Sequence, residues 1–326
     1  MSFDKTIHLP VTVDEAFALI TQPERLRRWQ TVAARVDLRV GGEYRWTVTP
    51  GHNASGVFQE IEPGKRVVFT WGWEGGGDLP PGASTVTITL EPQAEGTTLR
   101  LVHDGLTEEQ AASHAMGWNH YLDRLVVETS TAEGAGRDDW AWAPDPISHL
   151  TSADASLAVL LGVLRNVSAA DAAKATPCAE FNVEGLMDHL VASLVGVGHA
   201  LGAELVDRKE AEPEVRIAEL AQPTLEAFAR RGVDGVVDMG FAELPATTVA
   251  GILNLELLVH AWDFAKATEQ QVAVSDVVSD YVAELARQII SEQVRANGSF
   301  APEQPTAETA GSLERLVAFT GRSVTL

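Results

Sequence analysis

One cysteine, Cys178, is all that 326 residues contain, which excludes an intramolecular disulfide framework and fits a reducing cytoplasm. Cations are also scarce. Lys and Arg number 24 against 46 Asp and Glu, a formal charge of −22, and this argues against nucleic acid as a partner because a phosphate backbone is bound through clustered basic side chains. No uninterrupted apolar run approaches the roughly 20 residues needed to span a bilayer. The opening MSFDKTIHLP lacks a signal-peptide pattern. The expectation is a cytoplasmic protein with neither nucleic-acid nor membrane partners, whose ligands are small molecules and for which a homodimer is compatible. The acidic excess supports solubility and gathers cations without creating a specific site.

What is present is a globular composition, 45% hydrophobic with mean hydropathy −0.01, in a chain long enough for two domains. The two halves differ in period. Residues 1–130 open with a strand-like stretch and a short helix at 14–21. Alternating apolar and polar residues in VDLRVGGEYRWTVTP, GVFQEIEPG, KRVVFTWGWEG, STVTITLEP and TTLRLVHDG then predict about five strands joined by Gly, Pro and Asn turns. A helix from about Thr107 to Thr129 closes an α+β domain of one antiparallel sheet wrapped around one long helix. Residues 131–146, TAEGAGRDDWAWAPDP, read as a linker. Residues 147–326 show apolar spacings of three and four around 150–168, 182–205, 214–231, 248–267, 275–296 and 306–320, which predict an all-α helical bundle.

Aromatics dominate the first half. Trp29, Trp46, Trp71, Trp73, Trp118 and Tyr121 are candidates for the lining of an apolar cavity beneath the long helix; Trp71 and Trp73, two apart on a strand, face the same way. An ordinary aromatic core is the competing reading. No nucleophile-base pair or metal-ligand spacing stands out among His103, His114 and His120.

In the second half, GILNLELLVHAWDFAKAT carries Glu256 and His260 four residues apart, hence on one face of a helix. The helix is apolar nearly all round and should be buried, where an ionised Glu256 needs a compensating cation. His189, in FNVEGLMDHLVASLVG, lies off its helix's apolar stripe among Gly185, Ala192, Ser193 and Gly196, small residues that leave a crevice. Two histidines and a carboxylate with open positions make a divalent-metal site of the catalytic zinc type. The alternative is a simple i, i+4 polar pair and a packed histidine. His199 is a weaker substitute ligand, about 80° around the helix by the 100° rule. Asp263 is either a fourth ligand or a group that orients an imidazole from behind. Cys178 is either a reactive thiol or a packing residue.

Two resemblances join these readings. LPVTVDEAFALITQPERLRRWQ, DLRVGGEYRW, GVFQEIEPGKRVVFTW, GTTLRLVHDGL and HAMGWNHYLDRL resemble the bacterial family named for the activator of Hsp90 ATPase, in the START-like superfamily. That likeness implies a helix-grip fold around an apolar cavity for a small ligand. ATPCAEFNVEGLMDHLVASLVG, LELLVHAWDFAKAT and RANGSFAPEQPTAETAGSLERLVAFTGR resemble an actinobacterial branch of the DinB-like superfamily, metal-binding proteins related to mycothiol-dependent maleylpyruvate isomerase. That second likeness implies a four-helix bundle with His189, Glu256 and His260 as ligands of a divalent metal, zinc being expected, and a low-molecular-weight thiol such as mycothiol as cofactor. The function expected is a thiol-dependent transferase or isomerase, with the START-like cavity holding an apolar substrate. The competing class is a non-catalytic small-molecule-binding or stress-response regulatory protein.

Overall fold

The computed structural model describes residues 1–324; residues 325–326, the end of the span assigned to the helical half, lie outside it. The chain divides into two compact units, Met1–Ala141 and Trp142–Leu326.

The first unit runs β1 (Phe3–Leu9), α1 (Val13–Thr21), α2 (Pro23–Leu26), β2 (Ala33–Val36), β3 (Glu43–Thr49), β4 (His52–Glu62), β5 (Arg66–Trp71), β6 (Ser84–Gln93), β7 (Gly96–Asp104) and α3 (Glu108–Ser130). Seven antiparallel strands form one sheet in the order β1-β7-β6-β5-β4-β3-β2, an α+β arrangement. Of the stretch read as one strand from Val36 to Pro50, only Glu43–Thr49 is the strand β3; β2 ends at Val36, and the chain between them turns at Gly41, which takes φ +79, a conformation that suits a residue without Cβ. Alternation is clearest in β6, where Ser84, Val86, Ile88 and Leu90 are buried and their neighbours are not. α3 starts at a capping box in which the Thr107 hydroxyl accepts from Gln110 N and Gln110 Oε1 accepts from Thr107 N, satisfying two otherwise orphaned donors. It supplies Trp118, Tyr121, Leu122 and Leu125 to the core that the inner sheet face also builds.

A close approach shapes the end of β5. A Cβ on Gly72 would sit 1.9 Å from the carbonyl oxygen of Pro80, so only glycine lets the segment around Pro80 cross here. Gly72→Ala is expected to destabilise this unit by about 2 kcal/mol through overpacking, measured by urea denaturation; an unchanged midpoint would contradict that placement. The residues after α3 are not a free linker. Arg124 donates to the carbonyls of Ala135, Gly136 and Arg137, and Glu128 accepts from Ala135 N, so the chain up to Ala141 folds back along α3.

The second unit is helical: α4 (His149–Leu164), α5 (Val183–Ala200), α6 (Pro213–Arg231), a short hairpin of β8 (Val236–Asp238) and β9 (Glu243–Pro245), α7 (Ala246–Ala267), α8 (Asp276–Ile289), α9 (Glu292–Ala296) and α10 (Ser312–Phe319). α4 packs against α6 and α7, α5 packs against the same two helices, and α8 lies against α7 and α10. α7 is the central element. Sixteen of its 22 residues are buried, as an all-round apolar helix must be. Among the described residues no helix is long and apolar enough to cross a membrane.

Candidate metal centre and aromatic cleft

The contact of α5 with α7 brings His189 to Glu256 and His260. His189 Nε2 is 3.3 Å and His260 Nε2 3.5 Å from Glu256 Oε2, and the imidazole rings stand edge to face with centroids 5.3 Å apart. One donor atom from each of the three lies within 4.8 Å of the others. Bonds of about 2.0–2.2 Å to a tetrahedral zinc place neighbouring ligand atoms roughly 3.3–3.6 Å apart, so the set fits one shared cation. Glu256 Oε2 is buried and makes no hydrogen bond of good geometry among the described residues, its near neighbours being the two imidazole nitrogens, and a cation between the three would offset its lost hydration.

Without a metal, charge pairing inside the cluster sets the protonation of its members. Burial resists ionisation of Glu256, yet the two imidazoles outweigh it and hold the carboxyl below the usual carboxylate range. Burial likewise pushes His260 down, but Asp263 and Glu256 overcome it and raise the imidazole to about 9. Asp263 is on the other side of that ring. Its Oδ2 is 2.9 Å from His260 Nδ1, the nitrogen not directed at Glu256, so it orients the imidazole and is not one of the three converging donors. Phe181 stacks on His189 at 5.1 Å and 23°, while the His189 side chain stays 36% exposed and leaves the site one open edge. His199 is exposed in the last turn of α5, outside the cluster. Cys178 is half-buried, and that burial pushes its thiol up, away from the reactive thiolate.

The other site is a cleft of about 670 Å³ in the first unit, walled by Trp71, Trp73, Trp118, Tyr121, His114 and Trp140. Trp29 and Trp46, expected in the lining, do not border it. Trp29 is buried after α2, its indole N–H donating to the carbonyl of Leu19, and Trp46 is covered by Tyr44, Phe69 and Trp71. Strand alternation gives the face a side chain points to but not its depth in the core. Trp140 and His114 line the cleft without having been expected there; Trp140 stacks on His120 with centroids 4.0 Å apart, and His120 in turn meets Asp138 at 2.9 Å.

Two histidines at the wall are fixed in orientation by hydrogen bonds. Trp118 Nε1 donates to His103 Nδ1 at 3.0 Å, so the ring proton sits on Nε2 and is donated to Ser84 Oγ at 2.8 Å, whose hydroxyl donates to the carbonyl of Trp71. Burial, with a lesser contribution from His114, lowers His103 to about 3. Trp73 Nε1 donates to His114 Nε2, leaving His114 Nδ1 to donate to the Gln110 carbonyl at 2.8 Å. No Lys or Arg borders the cleft, whereas Glu74 and Asp78 do; Arg45 binds Glu74 through Nε at 2.9 Å.

Comparison with known proteins divides along the same line. Residues 10–129 match the family model described as activator of Hsp90 ATPase homolog 1-like protein. An AHSA1-like protein of Rhizobium etli is 40% identical, the match covering 45% of this chain and 88% of that one, with a TM-score of 0.35. CalU16 from Micromonospora echinospora is 31% identical over 37% of this chain and 71% of its own, with a TM-score of 0.32. An uncharacterized protein of Mycobacterium tuberculosis is 29% identical over 186 residues, 55% of this chain and 99% of that protein. A match of that length exceeds the span Met1–Ala141 and so extends into the helical unit.

Proposed function

Because the N-terminal domain is AHSA1-like, we propose that this protein binds a small molecule, and that the ligand is flat, largely apolar and not anionic. The cleft carries this reading: about 670 Å³ walled by four indoles and a phenol, with Glu74 and Asp78 but no Lys or Arg in its lining. Aromatic walls of this kind favour planar apolar partners; Glu74 at the edge is paired with Arg45, and the lining offers no Lys or Arg of its own to receive a carboxylate or phosphate. A panel of uncharged aromatic compounds, each paired with its carboxylated analogue, tests this by tryptophan emission and thermal shift. Neutral compounds are expected to bind more tightly than their acids, and Trp73→Ala to weaken binding about tenfold or more. Equal binding of acids and neutral analogues, or no binding at all, would overturn the ligand class.

A second reading belongs to the helical unit and rests on the convergence of His189, Glu256 and His260 on one buried carboxylate oxygen. In it the three residues hold a divalent metal, zinc by the nitrogen-and-carboxylate donor set, as the DinB-like resemblance implies. Such a metal supplies a Lewis acid that lowers the pKa of a bound water or thiol. The open edge at His189 would admit a low-molecular-weight thiol of the mycothiol type, and a thiol transferase or isomerase would follow from thiolate formation there. Cobalt-substituted protein titrated with a small thiol should develop a thiolate-to-metal charge-transfer band; a spectrum unchanged at saturating thiol would leave a metal centre without thiol chemistry.

A further inference from the structure

Resting on the metal-centre reading, we propose that Arg322 is a positioning residue for that centre, acting through Asp263 to fix the orientation and tautomer of His260. The geometry begins at the imidazole. His260 Nε2 faces Glu256 at 3.5 Å, while Nδ1 lies 2.9 Å from Asp263 Oδ2. A carboxylate can only accept, so Nδ1 carries a proton in this contact, and Nε2 is the nitrogen left to give its lone pair to a metal shared with Glu256 and His189. A ligating histidine held in this way by a carboxylate keeps one tautomer and one ring rotation.

Asp263 cannot hold that position alone. Its side chain is 0% exposed, and a buried carboxylate with one imidazole for company is strongly disfavoured. Arg322 answers it with a fork, Nη2 to Oδ2 at 2.9 Å and Nε to Oδ1 at 3.3 Å. The guanidinium therefore fixes the plane of the carboxylate, which in turn fixes the plane of the imidazole. Lysine has a single point of contact and could not set that plane.

The backbone delivers Arg322 to this place by a device of its own. α10 ends at the Thr320 cap, and Gly321 follows at φ +95, where a Cβ would come within 2.7 Å of Ala301. The turn points the next residue inward, and Arg322 Nη1 is braced on the Thr320 carbonyl at 3.3 Å. Arg322, only 8% exposed, thus ties the end of the described chain to a residue 59 positions earlier.

The full-length protein, stripped with a chelator and titrated with cobalt(II) at fixed pH, tests the assignment. Wild type should bind one cobalt with ligand-field bands of low coordination number. Arg322→Met is expected to bind 10–100-fold more weakly, the usual consequence of losing a group behind a ligand, with shifted bands; Arg322→Lys should restore part of the affinity but not the wild-type spectrum. Arg295→Met is the control. Arg295 holds the same C-terminal segment through the carbonyls of Ala301 and Phe319 without touching Asp263, so this variant should lose thermal stability and keep cobalt affinity within about threefold. Wild-type affinity and spectrum in Arg322→Met, or an equal loss in Arg295→Met, overturns the positioning role. Should Arg322→Met fail to fold, Arg322→Lys decides by the same two readouts. Failure of the wild type itself to bind cobalt overturns the metal centre, a distinct outcome.

Discussion

Lowering the pH from 7 to 4.5 will cost the N-terminal unit roughly 3 kcal/mol of stability through His103 alone. In the folded protein His103 is 0% exposed and titrates at about 3; in the unfolded chain it titrates near 6.5. Between those values the unfolded state binds a proton that the folded state refuses, so stability falls as the pH falls, by up to about 1.4 kcal/mol per pH unit. The sign follows from the hydrogen bonds as well. A proton added at Nδ1 would confront the N–H of Trp118, which already donates there at 3.0 Å. Guanidinium denaturation followed by tryptophan emission reads this unit, since Trp29, Trp46, Trp71, Trp73, Trp118 and Trp140, six of the chain's 8 tryptophans, lie in it. His103→Gln can keep both hydrogen bonds without titrating and should flatten the pH dependence; parallel profiles for the two proteins would acquit His103.

Zinc at about 100 times its dissociation constant should stabilise the helical unit by roughly 2.7 kcal/mol, a rise in Tm of about 5–10 °C for a unit of this size. Glu256→Ala should abolish the rise. The carboxylate is the negative member of the set and comes from the buried α7, so its loss leaves two imidazoles from two helices with no anion to attract a cation. Thermal unfolding at 222 nm, with zinc and with chelator, decides between the outcomes. An equal zinc-dependent rise in wild type and Glu256→Ala would place the metal elsewhere, on surface carboxylates.

How much of this was legible from residue order depended on distance along the chain. Glu256 and His260 sit on one helix, and the all-round apolar character of α7 announced that the carboxylate was buried. The small residues around His189 form no crevice, since Ala192 and Gly196 are exposed; it is Phe181 that covers the ring. Arg322 gave no such sign, because its partner lies 59 positions away and its role arises from a turn at Gly321 that no periodicity encodes. The cleft was half legible. Alternation correctly put Trp71 and Trp73 on one face, but it could not separate them from Trp46, which the neighbouring rings cover. Trp140 was hidden in a Gly, Asp and Pro stretch with every mark of a linker, and it is the contacts of Arg124, Glu128 and His120 on α3 that make that stretch part of the fold. The β8–β9 hairpin, with strands of 3 residues each, is too short to leave an alternating pattern.

The sheet order carries a consequence for synthesis. β1 pairs with β7, Phe3 opposite His103, so the first strand made waits for the last. At about 5–20 residues per second, an interval of about 100 residues leaves β1 without its partner for roughly 5–20 s. Every other neighbouring pair in the sheet, from β2–β3 to β6–β7, is consecutive in sequence and can close as it emerges. Loop-closure entropy therefore falls on one step, the docking of residues 3–9 onto an edge that the rest of the sheet has already built.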